Sequence, residues 1–324
     1  MARYLYSRPG HATEFKKKAL TPTEPLTLQQ LPGWLKQEFG QHGVAIALID
    51  GQQVQYRLHG LADTGQQQAV SGETLFEIGS VSKPLTALAV LSAAAQQHWQ
   101  LEQPLAQQFP RPELATHQYT LTELLTHRSG LPRLPANLPL DDLRNPYASY
   151  HDNELRAALT TTNFTERQFG YSNYGYGLLG WLLATELKQP YAELMQQRVF
   201  QPLAMPTAKV QLSLPELAGT SSGLSKLARG YAINGEQVAN WQFDSLAGAG
   251  ATCCSTAARR NTWGASRVCA ALNAGGCASP CSSQPAACSA SDSSRNSDKR
   301  NMQLPSQIEL NLFDNYLHSH VNVV

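Results

Sequence analysis

Residues 76–90 read Phe76-Glu77-Ile78-Gly79-Ser80-Val81-Ser82-Lys83-Pro84-Leu85-Thr86-Ala87-Leu88-Ala89-Val90. Leu85, Leu88, Leu91 and Ala95 recur at helical spacing, and Pro84 is tolerated only in a first turn, so the stretch predicts a helix starting near Ser80. An i, i+3 spacing then puts the hydroxyl of Ser80 and the ammonium of Lys83 on one face, a turn apart. A serine is a poor nucleophile until a neighbour takes its proton, and a lysine partly removed from water can be neutral enough to do so. The partial positive charge of a helix N-terminus favours an alkoxide or an oxyanion there. Taken alone, the four residues also read as a serine N-cap beside a solvated lysine.

On the N-terminal side, Gly43 to Asp50 and Val54 to Gly60 are short β-rich runs joined by Gly51-Gln52-Gln53, which predicts an antiparallel hairpin. Leu28, Leu31, Leu35 and Phe39 precede it at helical spacing, with Pro32 acceptable if the helix starts near it. On the C-terminal side, Thr120 to Glu123 has the form of a capping box, with Leu121, Leu124 and Leu125 after it and Gly130 as the expected helix stop. A further helix is expected over about Asn173 to Leu187, with Leu178, Leu179, Leu182 and Leu183 inside. A helical region therefore follows two strands of an unfinished sheet.

The chain has 324 residues, 42% hydrophobic and 15% charged, which excludes a disordered polyelectrolyte and a coiled coil. A net charge of +1, with Lys16 to Lys18 as the one basic run, argues against a nucleic-acid partner. No apolar run reaches the roughly 18 residues of a membrane span, and the first residues lack the apolar region of a signal peptide. As written, the chain is expected in the cytoplasm. All six cysteines (Cys253, Cys254, Cys269, Cys277, Cys281 and Cys288) fall in one late stretch, and no Asp or Glu occurs from Cys253 to Ser291. Their spacing is irregular and no histidine lies among them, unlike a zinc site, so neither metal nor cofactor is expected. Loss of acids, periodicity and turn residues together suggests a shifted reading frame.

Residues 76–90 closely resemble the active-site serine segment of class C β-lactamases and related penicillin-recognising serine hydrolases. The resemblance continues through Leu124 to Pro132 (LLTHRSGLP) and Phe169 to Gly180 (FGYSNYGYGLLG), which holds a Tyr-x-Asn motif at Tyr171 and Asn173. Val199 to Met205, Leu227 to Tyr231 and Ala247 to Gly250 look like further family landmarks in the right order, giving coverage of about residues 25 to 252. The resemblance implies an α/β (α+β) fold of the β-lactamase/transpeptidase type, with an antiparallel sheet flanked by helices and an inserted helical domain. Residues 25–84 would form the N-terminal part of the α/β domain and about 85–215 the helical domain. Residues 1–24 form an unassigned leader, and 253–324 a Cys/Ala/Ser-rich tail outside the family.

By the same resemblance, Ser80 attacks a carbonyl to form an acyl-enzyme, Lys83 and Tyr171 share the proton relay, and Asn173 hydrogen-bonds the acyl amide of the substrate. Substrates would be small molecules: a β-lactam, a D-Ala-D-Ala peptide or a small ester. Read from the residues alone, Tyr171 is also a half-buried aromatic at a helix start, Asn173 a helix cap and Ser82 a local helix-terminus hydrogen bonder. Family members carry a third motif, Lys-[Ser/Thr]-Gly or His-x-Gly, on a late strand, and this sequence contains neither. Arg128-Ser129-Gly130 resembles it but precedes Tyr171 and belongs to the capped-helix turn. In the family that strand supplies substrate-carboxylate binding and half of an oxyanion hole, so its loss leaves the sheet incomplete. The alternative reading is a non-catalytic remnant of a disrupted gene. Relatives are usually periplasmic, and oligomeric state is left open.

Overall fold

The computed structural model describes residues 29–50, 53–139, 145–210, 226–231 and 236–255. Helix α1 (Leu31–Phe39) starts with Pro32 in its first turn, as the sequence requires, and buries Leu31, Leu35 and Phe39 against Val44. Gly40, at φ 59°, ends it. Strands β1 (Val44–Asp50) and β2 (Gln53–His59) form the expected antiparallel hairpin, with Val44 opposite His59 and Asp50 opposite Gln53. Turn residues Gly51 and Gln52 lie outside the described residues. Tyr56 and Leu58 stand exposed on β2. A small ribbon of β3 (Leu61–Asp63) and β4 (Gln68–Ala69) follows.

Strand β5 (Phe76–Glu77) leads through a 3-10 turn at Gly79–Val81 into helix α2 (Ser82–Gln97). The buried face of α2 differs from the one its leucines predict. Leu85 is buried, but Leu88 and Leu91 are half-buried and Ala95 is exposed. Ala89 and Ala93 are fully buried instead. Small residues win this face because α2 is packed on several sides rather than one, and alanine lets neighbouring backbones approach.

Helix α3 (Leu105–Gln108) precedes α4 (Leu121–Leu125), whose capping box is complete: Glu123 N donates to Thr120 Oγ1 at 3.2 Å and Thr120 N to Glu123 Oε2 at 2.9 Å. Helix α4 stops at Leu125, five residues before the expected Gly130, and the chain turns at His127 with φ 58°. Gly130 has a different task. At φ 77° a Cβ there would lie 2.5 Å from Thr165 O, and Gly130 O accepts from Thr165 N. Helices α5 (Asp152–Thr161), α6 (Asn173–Leu187) and α7 (Tyr191–Met195) complete the helical part, α7 running on into a π turn at Gln196–Phe200. Helix α6 has the predicted bounds and is apolar nearly all round, which fits its buried position against α2, α4 and α7.

Strand β6 (Lys209–Val210) is followed by the pair β7 (Gly230–Tyr231) and β8 (Gln237–Val238), a 3-10 turn at Ala247–Ala249 and β9 (Thr252–Cys254). Strand β9 pairs antiparallel with both β5 and β6, so the first two cysteines of the acid-free stretch lie in the sheet: Cys253 opposite Glu77, Cys254 opposite Phe76. Cys269, Cys277, Cys281 and Cys288 lie outside the described residues. Among the described residues no sheet has more than three strands.

The Ala247–Ala249 turn is wedged against α6. A Cβ on Gly248 would meet Tyr176 O at 2.3 Å and Gly180 N at 3.0 Å, and one on Gly177 would meet the Leu246 side chain at 2.2 Å. Gly248→Ala should therefore lower unfolding stability by ~1–3 kcal/mol in a urea titration, the usual cost of overpacking. Gly33→Ala, in α1 with nothing within 4 Å of the added carbon, should be neutral or stabilising by up to ~1 kcal/mol. Equal effects at the two positions would show that the wedge is not tightly packed.

Candidate active site

Glycine makes the entry to the site possible. Gly79, at φ 50°, lets the chain turn from β5 into the 3-10 turn that carries Ser80. Ile78 N donates to Thr252 O at 3.1 Å, and Thr252 N donates to Ser82 Oγ at 3.1 Å. Ser82 is thus a buried acceptor for a strand 170 residues away, not the local helix-terminus group its position suggests.

At the second residue of α2, Lys83 is buried and donates from Nζ to Ser80 Oγ at 3.0 Å and to Ala249 O at 2.8 Å. Its Nζ lies 4.8 Å from the ring centre of Tyr171 and 5.8 Å from that of Tyr176. Burial, with a smaller contribution from the Arg133 charge, lowers its pKa to about 7. Tyr171 reaches the same serine, its OH donating to Ser80 Oγ at 2.6 Å. Burial raises the Tyr171 pKa, so it stays a phenol at neutral pH. Ser80, Lys83 and Tyr171 are therefore in mutual contact.

Asn173 is the first residue of α6 and not its cap. The cap is Ser172, whose Oγ accepts from Gly175 N at 2.9 Å and donates to Pro132 O at 2.7 Å. Asn173 is buried, donates from Nδ2 to Tyr147 OH at 3.3 Å, and leaves Oδ1 without a hydrogen-bond partner. Tyr147 stacks on Phe243 with ring centres 4.8 Å apart. Tyr147, His127 and Ala249 were not singled out by sequence reasoning. His127 sat in a segment read only as helix and turn, and Ala249 contributes a carbonyl, which no side-chain pattern announces.

Beside the serine, Glu77 accepts from Trp241 N at 2.7 Å and Asn240 Nδ2 at 3.0 Å, and burial raises its pKa to about 7. Arg128 to Gly130 lies in the turn after α4 and is not part of a strand. Among the described residues neither Cys253 nor Cys254 forms a disulfide, no group of three or more His, Cys, Asp or Glu side chains could hold a metal, and no helix is long and apolar enough to cross a membrane.

A family model described as Beta-lactamase matches residues 34–291 of this chain. The chain belongs to the beta-lactamase family. It is 32% identical over 230 residues to a beta-lactamase of Pseudomonas fluorescens, covering 70% of this chain and 58% of the relative. It is 29% identical over 205 residues to a beta-lactamase of Escherichia coli K12, covering 62% and 48%. A third relative, the D-alanyl-D-alanine-carboxypeptidase/endopeptidase AmpH of Escherichia coli K12, is 28% identical over 51% of this chain and 44% of its own. The chain thus spans about half of the length of these relatives, between 44% and 58%. The fold is similar to that of a class C beta lactamase from Rhodobacter sphaeroides, at a TM-score of 0.58 and 22% identity, covering 74% of this chain and 66% of that one. This is the β-lactamase/transpeptidase-like fold, here with small and incomplete sheets.

The depressed pKa of Lys83 sets a test in this beta-lactamase-family chain. A base with a folded pKa near 7 and an unfolded value near 10.5 binds fewer protons folded than unfolded between those values. Stability should therefore rise with pH across that window, by roughly 2 kcal/mol between pH 7 and 9. Urea denaturation at several pH values should show the rise in the wild type and not in Lys83→Met. An unchanged slope in the variant would mean that Lys83 is not the buried base.

Proposed function

We propose that the chain is a serine hydrolase acting through a covalent acyl-enzyme on Ser80, with a β-lactam, a D-Ala-D-Ala peptide or a small ester as acyl donor. The observation that carries this reading is the position of Ser80 Oγ, 3.0 Å from Lys83 Nζ and 2.6 Å from Tyr171 OH. With its pKa near 7, Lys83 has a substantial neutral fraction at neutral pH, whereas Tyr171 is almost wholly protonated. Lys83 is then the group able to take the serine proton as Oγ bonds to the substrate carbonyl carbon. As the scissile bond breaks, the leaving amine or alkoxide receives a proton from the Tyr171 hydroxyl, which recovers one from Lys83. Hydrolysis of the ester by water returns Ser80. Asn173 Oδ1, buried and without a partner, is a natural acceptor for the acyl amide N–H. The similarity to beta-lactamases and to a D-alanyl-D-alanine-carboxypeptidase/endopeptidase supports the substrate class.

A second reading, a family chain that keeps the serine segment without completing the site, is favoured by one observation: the sequence contains neither Lys-[Ser/Thr]-Gly nor His-x-Gly. Losing one oxyanion donor costs on the order of 10²–10³ in turnover in other serine hydrolases.

Intact mass after incubation with excess benzylpenicillin separates the two readings. The hydrolase reading expects a gain of one penicilloyl group, absent in Ser80→Ala and formed about 10²–10⁴-fold more slowly in Tyr171→Phe. A folded wild-type chain that shows no adduct and consumes no benzylpenicillin favours the second reading, and an adduct surviving Ser80→Ala overturns the assignment of the nucleophile.

A further inference from the structure

Tyr171 sits in neither a helix nor a strand, two residues before α6 begins. Its ring must nevertheless be held to within a hydrogen bond of Ser80. Its ring packs against that of His127. The backbone of His127, at φ 58°, presents its carbonyl to Gly170 N at 2.8 Å. Its ring presents Nδ1 to Ser172 N at 3.1 Å. The amide N–H groups of the residues on either side of Tyr171 are thus both fastened to one residue, one through its main chain and one through its side chain. Between these two bonds the imidazole lies against the Tyr171 ring, with centres 4.6 Å apart and planes 35° apart, and against Tyr176 at 4.9 Å.

We propose that His127 is the positioning residue for Tyr171, a clamp that grips residues 170 and 172 and presses on the ring between them so that the phenol stays on Ser80. The proposal rests on the acyl-enzyme reading above, since it gives His127 a task in that reaction. An amide donates to Nδ1, so the ring is held as the neutral tautomer with its proton on Nε2. Burial and the nearby Lys83 charge both lower the pKa of His127, to about 4, and keep Nδ1 an acceptor under working conditions. The left-handed backbone restricts what can replace it: asparagine tolerates that φ and places an oxygen close to where Nδ1 stands, while glutamine places its polar atoms near Nε2.

Single-turnover acylation by benzylpenicillin in His127→Ala, His127→Asn and His127→Gln tests the clamp. Misplacing a reacting group by about 1 Å can cost ~10²-fold. His127→Ala should slow acylation about 10- to 100-fold, with the half-saturating concentration changed less than about threefold. His127→Asn should recover the rate to within about threefold, and His127→Gln should not. A glutamine variant as fast as the asparagine variant, or an alanine variant within about twofold of wild type, overturns the proposal. If the alanine variant fails to fold, the asparagine and glutamine pair still decides. If the wild type neither forms an adduct nor consumes benzylpenicillin, the acyl-enzyme reading fails and the clamp is read without turnover, from the Tyr171 titration in protein labelled with 13C at tyrosine Cζ. The raised pKa of Tyr171 should then persist in His127→Asn and fall toward that of free tyrosine in His127→Gln; no difference between them overturns the clamp.

Discussion

The hydrogen bond from Lys83 Nζ to Ala249 O governs the arrangement of the rest. An ammonium removed from water is costly unless strong acceptors are supplied, and here the acceptors are a backbone carbonyl and the serine hydroxyl. The carbonyl can be there only if the Ala247–Ala249 turn is pushed deep between α2 and α6. Gly248 and Gly180 allow that approach by lacking side chains, and Thr86 Oγ1 fixes it by donating to Gly248 O at 2.8 Å. Once the turn is in place, β9 emerges beside β5, and Thr252 bonds to Ile78 on one side and Ser82 on the other. The serine is therefore held by the helix its 3-10 turn opens, by the turn that holds its lysine and by the strand that follows that turn.

The tyrosine half of the site is built differently. The amides of Gly170, Ser172, Asn173, Tyr174 and Gly175 are satisfied in turn by His127 O, His127 Nδ1, Arg133 O twice and Ser172 Oγ. The start of α6 thus spends its unpaired donors on the loop that follows α4, and in doing so fixes where Tyr171 and Asn173 point. Glu77 makes a comparable tie on the far side, holding Asn240 and Trp241 next to the Tyr147–Phe243 stack that meets Asn173. Two separate sets of polar bonds, with few residues in common, converge on one hydroxyl.

What could be read from the sequence was what is local in it. The i, i+3 relation of Ser80 and Lys83, the capping box at Thr120, the hairpin and the bounds of α6 each depend on residues close together in the chain, and each is found where expected. The leucine spacing does not mark the buried face of α2 at Leu88, Leu91 and Ala95, because a helix surrounded on several sides has no single apolar stripe to follow. The early stop of α4 was hidden because a histidine, not the glycine three residues later, takes the left-handed turn. The strands of two or three residues, β5, β6 and β9, are too short to show an alternation, and Asn173 looked like a cap because the true cap is its neighbour Ser172. Ala249 acts through its carbonyl and His127 partly through its own, groups that every residue carries, so composition could not distinguish them.

The separation along the chain between the serine helix and its partners has a consequence for biosynthesis. Lys83 meets Ala249 across 166 residues, Thr86 meets Gly248 across 162, and Ser82 meets Thr252 across 170. Loop closures of that length are slow, and domains assemble as their segments leave the ribosome. The 3-10 turn bearing Ser80 and the helix it opens must therefore wait, with the ammonium of Lys83 still hydrated, until translation has passed Thr252, and the contacts around Ser80 close only as the last described strand is laid down.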